Sequence, residues 1–361
     1  MKKILFVDDE PKLLEGLQRM LRTKRREWDM TFVTSASDAL AAMEKEPFHI
    51  LVTDMRMPGM DGSELLKKVE EFHPQVVRIV LSGHTDKEMI LRTVGPAHQY
   101  LSKPCDVEAL KATLSRACSL SDILSDAGLV RVVSGIESLP SIPSLYSEVL
   151  QEINSPEGSL NKVGEIITKD FGMSAKILQL VSSSFFGLPT HVSNPVRACQ
   201  LLGLETIKAL VLSVGIFSQF SKSRDFSVDA LWEHSMSTAL LARDMAVKAN
   251  LGQDSVDDAF MAGLLHDIGK LILMDKTPEE FRQICELANS TNCSALEAEQ
   301  RVLGTTHAQV GAYLLGIWGL PEPIVEAVAW HHSPKNRHGG TLDTITAVHL
   351  AETQESGNAE N

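Results

Sequence analysis

Strand-length apolar runs that end on carboxylates constrain the N-terminal third of this chain more than any other feature. Ile4-Leu5-Phe6-Val7 leads into Asp8-Asp9, Ile50-Leu51-Val52-Thr53 into Asp54, and Val76 to Leu81 into Ser82, while a later run carries Tyr100 and ends just before Lys103. Helical patterns lie between them, at about Pro11 to Lys24, Ser37 to Lys45, Gly62 to Glu71, Asp86 to Val94 and Asp106 to Cys118. Such alternation predicts an α/β doubly wound, five-stranded parallel sheet covered on both faces. Sheets of this kind bind ligands outside strand C-termini, where the strand order reverses, so Asp8, Asp9 and Asp54 are expected to share one crevice.

The character changes after residue 120. A Ser- and Asp-rich stretch at 121–130 reads as a linker or a helix extension. Beyond it helical periodicity recurs with almost no strand signal, from Pro143 to Asn154 through to Glu322 to His332. An all-α domain is expected over 131–353, followed by a polar tail at 354–361 expected to be disordered. Gly203, Gly252 and Gly304 fall between helical segments, where helix ends favour them.

Charge balances in the first 120 residues, so the whole net charge of -13 belongs to the helical part. Phosphate neutralisation needs clustered Lys and Arg, which argues against DNA as a partner. The longest apolar stretches, such as Ala209 to Phe217, are too short to span a membrane, and no membrane partner is expected. Five scattered cysteines without CxxC spacing suggest neither disulfides nor a thiolate metal site, which fits a cytoplasmic protein.

Three aspartates in one crevice repel each other and either raise a pKa or hold a hard cation. Magnesium fits, because it takes oxygen ligands and works beside phosphate. Asp9 and Asp54 are candidate direct ligands, Asp8 acts through water, and the backbone carbonyl of Arg56 completes the set. Asp54 is then the nucleophile that receives a phosphoryl group. Lys103 supplies positive charge, Ser82 a hydroxyl donor, and inward movement of Ser82 makes room for Tyr100 to turn from an exposed to a buried position.

Asp8-Asp9, the run Asp54-Met55-Arg56-Met57-Pro58-Gly59-Met60-Asp61-Gly62, the step Leu81-Ser82-Gly83 and Tyr100-Leu101-Ser102-Lys103-Pro104 together resemble the receiver domain of two-component response regulators. The resemblance covers about residues 1–120. It implies a flavodoxin-like fold, a cis peptide before Pro104, a magnesium requirement, and a histidine kinase or phosphotransfer protein as phosphoryl donor.

In the helical part His234 precedes Gly263-Leu264-Leu265-His266-Asp267-Ile268-Gly269-Lys270, and His307, His331-His332 and Glu352 follow. This order resembles the HD superfamily of metal-dependent phosphohydrolases. Leu139-Pro140-Ser141-Ile142-Pro143, Ala175 to Ser182, Phe185-Phe186-Gly187 and Ala198-Cys199-Gln200-Leu201-Leu202-Gly203 resemble its HDOD branch, which is regarded as regulatory. His234, His266, Asp267 and Glu352 are the implied ligands of one iron, manganese, zinc or magnesium ion, and Glu352 stands where the superfamily usually has Asp. His307, His331 and His332 match a second metal site of the cyclic dinucleotide phosphodiesterase branch, whose Gly-Tyr-Pro motif is absent after His332. The expected protein is therefore a response regulator in which phosphorylated Asp54 modulates an HDOD domain acting through protein contacts, with an unidentified target and homodimer formation as an open possibility. The alternative is a receiver-gated, metal-dependent phosphohydrolase acting on a nucleotide or cyclic dinucleotide.

Overall fold

The computed structural model describes residues 1–83, 96–120, 127–136, 139, 143–155, 158–183, 191–204, 206, 207, 211, 227–291, 293–334 and 343–359. The expected helix at 86–94, the Phe185-Phe186-Gly187 motif and residues 121–126 lie outside them.

Five strands, β1 (Lys2–Val7), β2 (Trp28–Val33), β3 (Ile50–Asp54), β4 (Val77–Gly83) and β5 (Gln99–Lys103), pair in the order β2-β1-β3-β4-β5, every pair parallel. Helices α1 (Pro11–Met20), α2 (Ala36–Lys45), α3 (Gly62–Phe72) and α4 (Val107–Leu120) flank this sheet. Side chains alternate across a strand, and the burial pattern follows. Ile4, Phe6, Val52, Ile79 and Leu101 enter one apolar cluster, whereas Leu5, Val7, Leu51, Val80 and Tyr100 enter another. Val7 lies opposite Thr53 in the β1–β3 register, so Asp8 and Asp54 leave the sheet side by side.

Among the described residues, all the remaining elements are helices. Helix α5 (Ala127–Ser134) begins inside the stretch expected as a linker or helix extension, and α6 (Pro143–Asn154), α7 (Leu160–Ile167), α8 (Phe171–Val181) and α9 (Pro195–Leu202) follow. The long α10 (Val228–Lys248) packs on α11 (Gln253–Leu265), and next come α12 (Ile268–Lys276), α13 (Pro278–Thr291) and α14 (Ala295–Leu303). Helices α15 (His307–Ile317), α16 (Glu322–Trp330) and α17 (Thr344–Ala359) complete the domain. Two of these depart from expectation. Helix α12 is absent from the sequence reading, and α17 runs to Ala359 through most of the stretch expected to be disordered. The latter is anchored by buried Ala347, Val348 and Ala351 and by a 2.8 Å hydrogen bond from Ser237 Oγ to Glu355 Oε2.

The two parts share a core. One apolar cluster runs from Ile4 and Phe6 through Leu114 and Leu120 into Leu129, Leu314 and Val348 without a break. At its edge sits Arg78, a fully buried cation on β4. Its guanidinium donates to the carbonyls of Pro96, Pro74, Val76 and Ser134 and pairs with Glu70 at 3.1 Å. Burial and the adjacent Arg78 hold His98 well below the usual imidazole range, so it is neutral. Its Nδ1 accepts from the Arg78 backbone N–H and its Nε2–H donates to the Ser134 carbonyl at 2.8 Å. Arg78→Met should cost about 3–5 kcal/mol in urea denaturation, because Glu70 and several carbonyls lose their buried cation. A loss below about 1 kcal/mol would show that solvent reaches these groups.

Candidate functional site

The N-terminal crevice is built by three strand ends. Lys103, at the end of β5, donates to Asp8 Oδ2 at 2.7 Å and to Asp54 Oδ1 at 2.5 Å. The Arg56 backbone N–H donates to Asp54 Oδ2 at 2.9 Å, and that of Glu10 to Asp8 Oδ1 at 2.9 Å. Asp9 is half-buried beside Asp8. Burial pushes the Asp54 carboxyl up, against the pull of Lys103. Burial would lower Lys103, but its contacts with Asp54 and Asp8 outweigh this and raise it. These buried carboxylates need positive charge, so the donor set suits a hard cation. The Asp54–Gly62 loop folds back so tightly that a Cβ on Gly62 would lie 2.1 Å from the Asp54 carbonyl oxygen. The peptide before Pro104 is cis, Ser82 is fully buried, and Tyr100 occupies the buried position at 1% exposure.

The second site forms where α11 ends and α12 begins. The Gly263 carbonyl can only accept, so the 2.7 Å contact to His266 Nδ1 fixes the proton on Nδ1 and turns Nε2 inward. Val328 orients His331 in the same way at 2.8 Å, and the Glu299 carboxylate does so for His307 Nδ1 at 2.8 Å. All three Nε2 atoms turn toward Asp267: His266 lies 3.4 Å from Oδ2, while His307 at 3.2 Å and His331 at 4.0 Å face Oδ1. His234 Nε2 is 3.7 Å from Oδ2, and His332 Nε2 meets His307 Nε2 at 3.1 Å. Glu352 approaches from α17, at 4.0 Å from His331 Nε2 and 3.5 Å from His332 Nδ1.

Three overlapping ligand groups result: His234, His266 and Asp267; Asp267, His307, His331 and His332; and His266, His331 and Glu352, each with donor atoms within 4.8 Å of one another. The two sets read separately from the sequence are thus one cluster with Asp267 in the middle. Asp267 Oδ1 and His331 Nε2 are buried without an aligned hydrogen bond, which suits a metal better than a closed polar network. Burial opposes charge on Asp267, but His266 and Lys270 hold it well below the carboxylate range. Burial likewise opposes protonation of His266 and His307, yet Asp267 outweighs it and raises both. Burial keeps His331 low and brings His332 to about 3.

Three supporting residues were not assigned from sequence. Lys270 donates to Asp267 Oδ2 at 2.6 Å from one helical turn on, a spacing visible in the sequence. Glu299 accepts from both the backbone N–H and the ring of His307, and His349 Nδ1 donates to the His331 carbonyl at 2.6 Å. His349 belongs to the same concentration of histidines along the chain, whereas nothing local marks Glu299.

Known proteins share both parts. The response regulator receiver domain family matches residues 4–115 and the HDOD domain family residues 139–334. A protein of Treponema pallidum, described only as uncharacterized, is 26% identical over 230 residues, covering 64% of this chain and 42% of its own. The hydrogenase transcriptional regulatory protein HoxA of Cupriavidus necator is 34% identical over 160 residues, 44% of this chain and 32% of that protein. The chain thus spans less than half the length of these curated relatives. Among solved structures, the MmoQ response regulator of Methylococcus capsulatus superposes with a TM-score of 0.52 at 22% identity, over 62% of this chain and 87% of that one, a likeness of fold. Receiver domains use magnesium and take their phosphoryl group from a kinase or phosphotransfer partner, and HD domains bind divalent metals. Among the described residues no helix is long and apolar enough to cross a membrane. More than half of its length answers to the HDOD description behind a receiver, so the chain belongs to the HDOD family and has the architecture of a response regulator.

Proposed function

We propose that this chain is a cytoplasmic phosphorylation switch: a histidine kinase or phosphotransfer protein phosphorylates Asp54 with magnesium held by Asp8, Asp9, Asp54 and the Arg56 carbonyl, and the HDOD domain changes its contacts with a protein target. The continuous apolar cluster carries this reading, because receiver and helical domain cannot repack independently when Leu120 and Leu314 belong to one core. The new charge shifts an equilibrium only through unequal interaction with its two states, and a shared core makes those states global. Acetyl phosphate or beryllofluoride should change which protein is captured in a pull-down, magnesium-dependently, and Asp54→Ala should abolish the change. Capture that is indifferent to the phosphoryl analogue would remove the reading.

A second reading has its own observation. The residues around Asp267 would hold divalent metal ions, His234 and His266 from one side and His307, His331 and His332 from the other. Such ions, when bound, activate water for in-line attack on a phosphoester. Asp267 would supply the anionic ligand, Lys270 would place positive charge beside the phosphate, and Glu352 would close the site from α17. A nucleotide and cyclic dinucleotide hydrolysis screen of manganese-loaded protein decides it: turnover lost in His266→Ala supports hydrolysis, and silence in the loaded protein leaves a metal-bearing binding module.

A further inference from the structure

Helix α15 touches both halves of the molecule. At its N-terminus His307 belongs to the Asp267 cluster, and Thr306 and Gln309 form a capping box that fixes the first turn. This end is in backbone contact with α12: a Cβ on Gly269 would lie 1.9 Å from the His307 carbonyl oxygen, and one on Gly311 would lie 3.2 Å from the Gly269 nitrogen. Any shift of α15 therefore presses directly on the turn that carries Asp267.

The other end of α15 lies against the receiver. A Cβ on Gly316 would come within 2.6 Å of Leu120, the last residue of α4. Tyr313 Oη pairs with Ser134 Oγ at 3.1 Å. The helix closes with Gly319 at φ 78° and a hydrogen bond from Leu320 N to the Leu315 carbonyl at 3.1 Å. The carbonyl of Ile317, left over at the helix end, accepts from Gln99 Nε2 at 2.8 Å. Gln99 is the first residue of β5, and Lys103, which bridges Asp8 and Asp54, is the last. One strand thus joins the phosphoacceptor crevice to the end of one helix, and that helix, about 16 Å long, ends at a metal-site imidazole.

We propose that β5 and α15 form a two-segment lever through which the occupancy of Asp54 sets the affinity of the Asp267 cluster for divalent metal. The inference rests on the phosphorylation reading above and adds the output it controls. The argument is steric. Every residue of α15 except Gln309 is buried, and a close-packed helix with backbone contact at one end and a capped carbonyl at the other moves as a unit. When Asp54 is phosphorylated, the Lys103 ammonium turns from the Asp8–Asp54 pair to the phosphoryl oxygens, which displaces the end of β5. Gln99 and Leu120 pass that displacement to α15, and His307 moves relative to Asp267.

The whole chain tests this by manganese titration calorimetry, with magnesium saturating the receiver, in the presence and absence of beryllofluoride. The expected result is a change in manganese affinity of about 5-fold or more on beryllofluoride binding, the lower end of ordinary coupling between sites. Gln99→Leu, which removes the donor to Ile317, and Gly316→Ala, which intrudes on Leu120, should each abolish the change while still binding beryllofluoride. Gln179→Leu serves as the control. Gln179 Nε2 donates to the His98 carbonyl at 2.8 Å, a contact between the two parts that bypasses α15, so this variant should keep the change. Beryllofluoride that binds without altering manganese affinity would overturn the lever and leave the phosphorylation reading standing, whereas beryllofluoride that fails to bind would overturn both. A change that survives in Gln99→Leu and Gly316→Ala, or vanishes equally in Gln179→Leu, would refute the route through α15.

Discussion

Asp267→Asn is expected to strip the helical domain of divalent metal, lowering manganese affinity by about 100-fold or more, beyond what loss of a supporting partner costs a site. The size follows from position. Asp267 is 1% exposed and presents one oxygen to His234 and His266 and the other to His307 and His331, so its charge serves both sides of the cluster. Asparagine keeps the shape, but it offers one weaker oxygen and an amide that repels a cation. The fold should survive, because Lys270 is a quarter exposed and can turn to solvent, and the pull of Asp267 that raises His266 and His307 is weakened along with its charge. Glu299→Gln provides the graded comparison. It leaves every ligand in place but weakens the orientation of His307, so about 10- to 100-fold is expected there. Metal analysis after gel filtration and manganese calorimetry measure both. An Asp267→Asn protein that retained the parent's metal would mean that the histidines bind alone and that the carboxylate is structural.

What could be read from the residues depended on whether the physics was local. The strand ends at Asp8 and Asp54 were legible because apolar runs of strand length stop at them, and the parallel order follows from the helical patterns between them. Helix α12 was not legible. Its Ile268, Gly269, Leu271, Ile272, Leu273 and Met274 are all buried, so it has no polar face to show a period. Helix α17 failed for the opposite reason: its end is polar, and its stability comes from packing on α10 and α11 rather than from its own sequence. Arg78 sits in a run that reads as an ordinary strand, and the partners that make its burial tolerable, the Glu70 carboxylate and the carbonyls of Pro96 and Ser134 among them, lie outside that run. In the second site each ligand was named from the order of motifs, but the sharing of Asp267 between two sets is a matter of distance, to which spacing along the chain is blind. Glu299 illustrates the limit, since it touches His307 from a separate helix and carries no motif of its own.

Asp54→Asn should reduce acyl-phosphate formation from acetyl phosphate to background, and Lys103→Ala should slow it by about 10²–10³ without removing the acceptor. The two effects differ in kind. Asparagine has no nucleophilic carboxylate, so no phosphoryl–oxygen bond can form at that position. Lys103→Ala leaves the nucleophile and the magnesium ligands but removes the cation that would meet charge on the transferring group. In the resting protein the same ammonium offsets the repulsion between Asp8 and Asp54, which are 1% and 6% exposed. Removing it should therefore destabilise the metal-free protein and at the same time tighten magnesium binding, since the ion no longer competes with a built-in cation. Phosphoryl incorporation, thermal melting with and without magnesium, and magnesium titration report these separately. If Lys103→Ala took up phosphoryl at the parent's rate while binding magnesium no more tightly, the lysine would be a structural end to β5 rather than the charge that both holds the resting crevice together and receives the phosphoryl group.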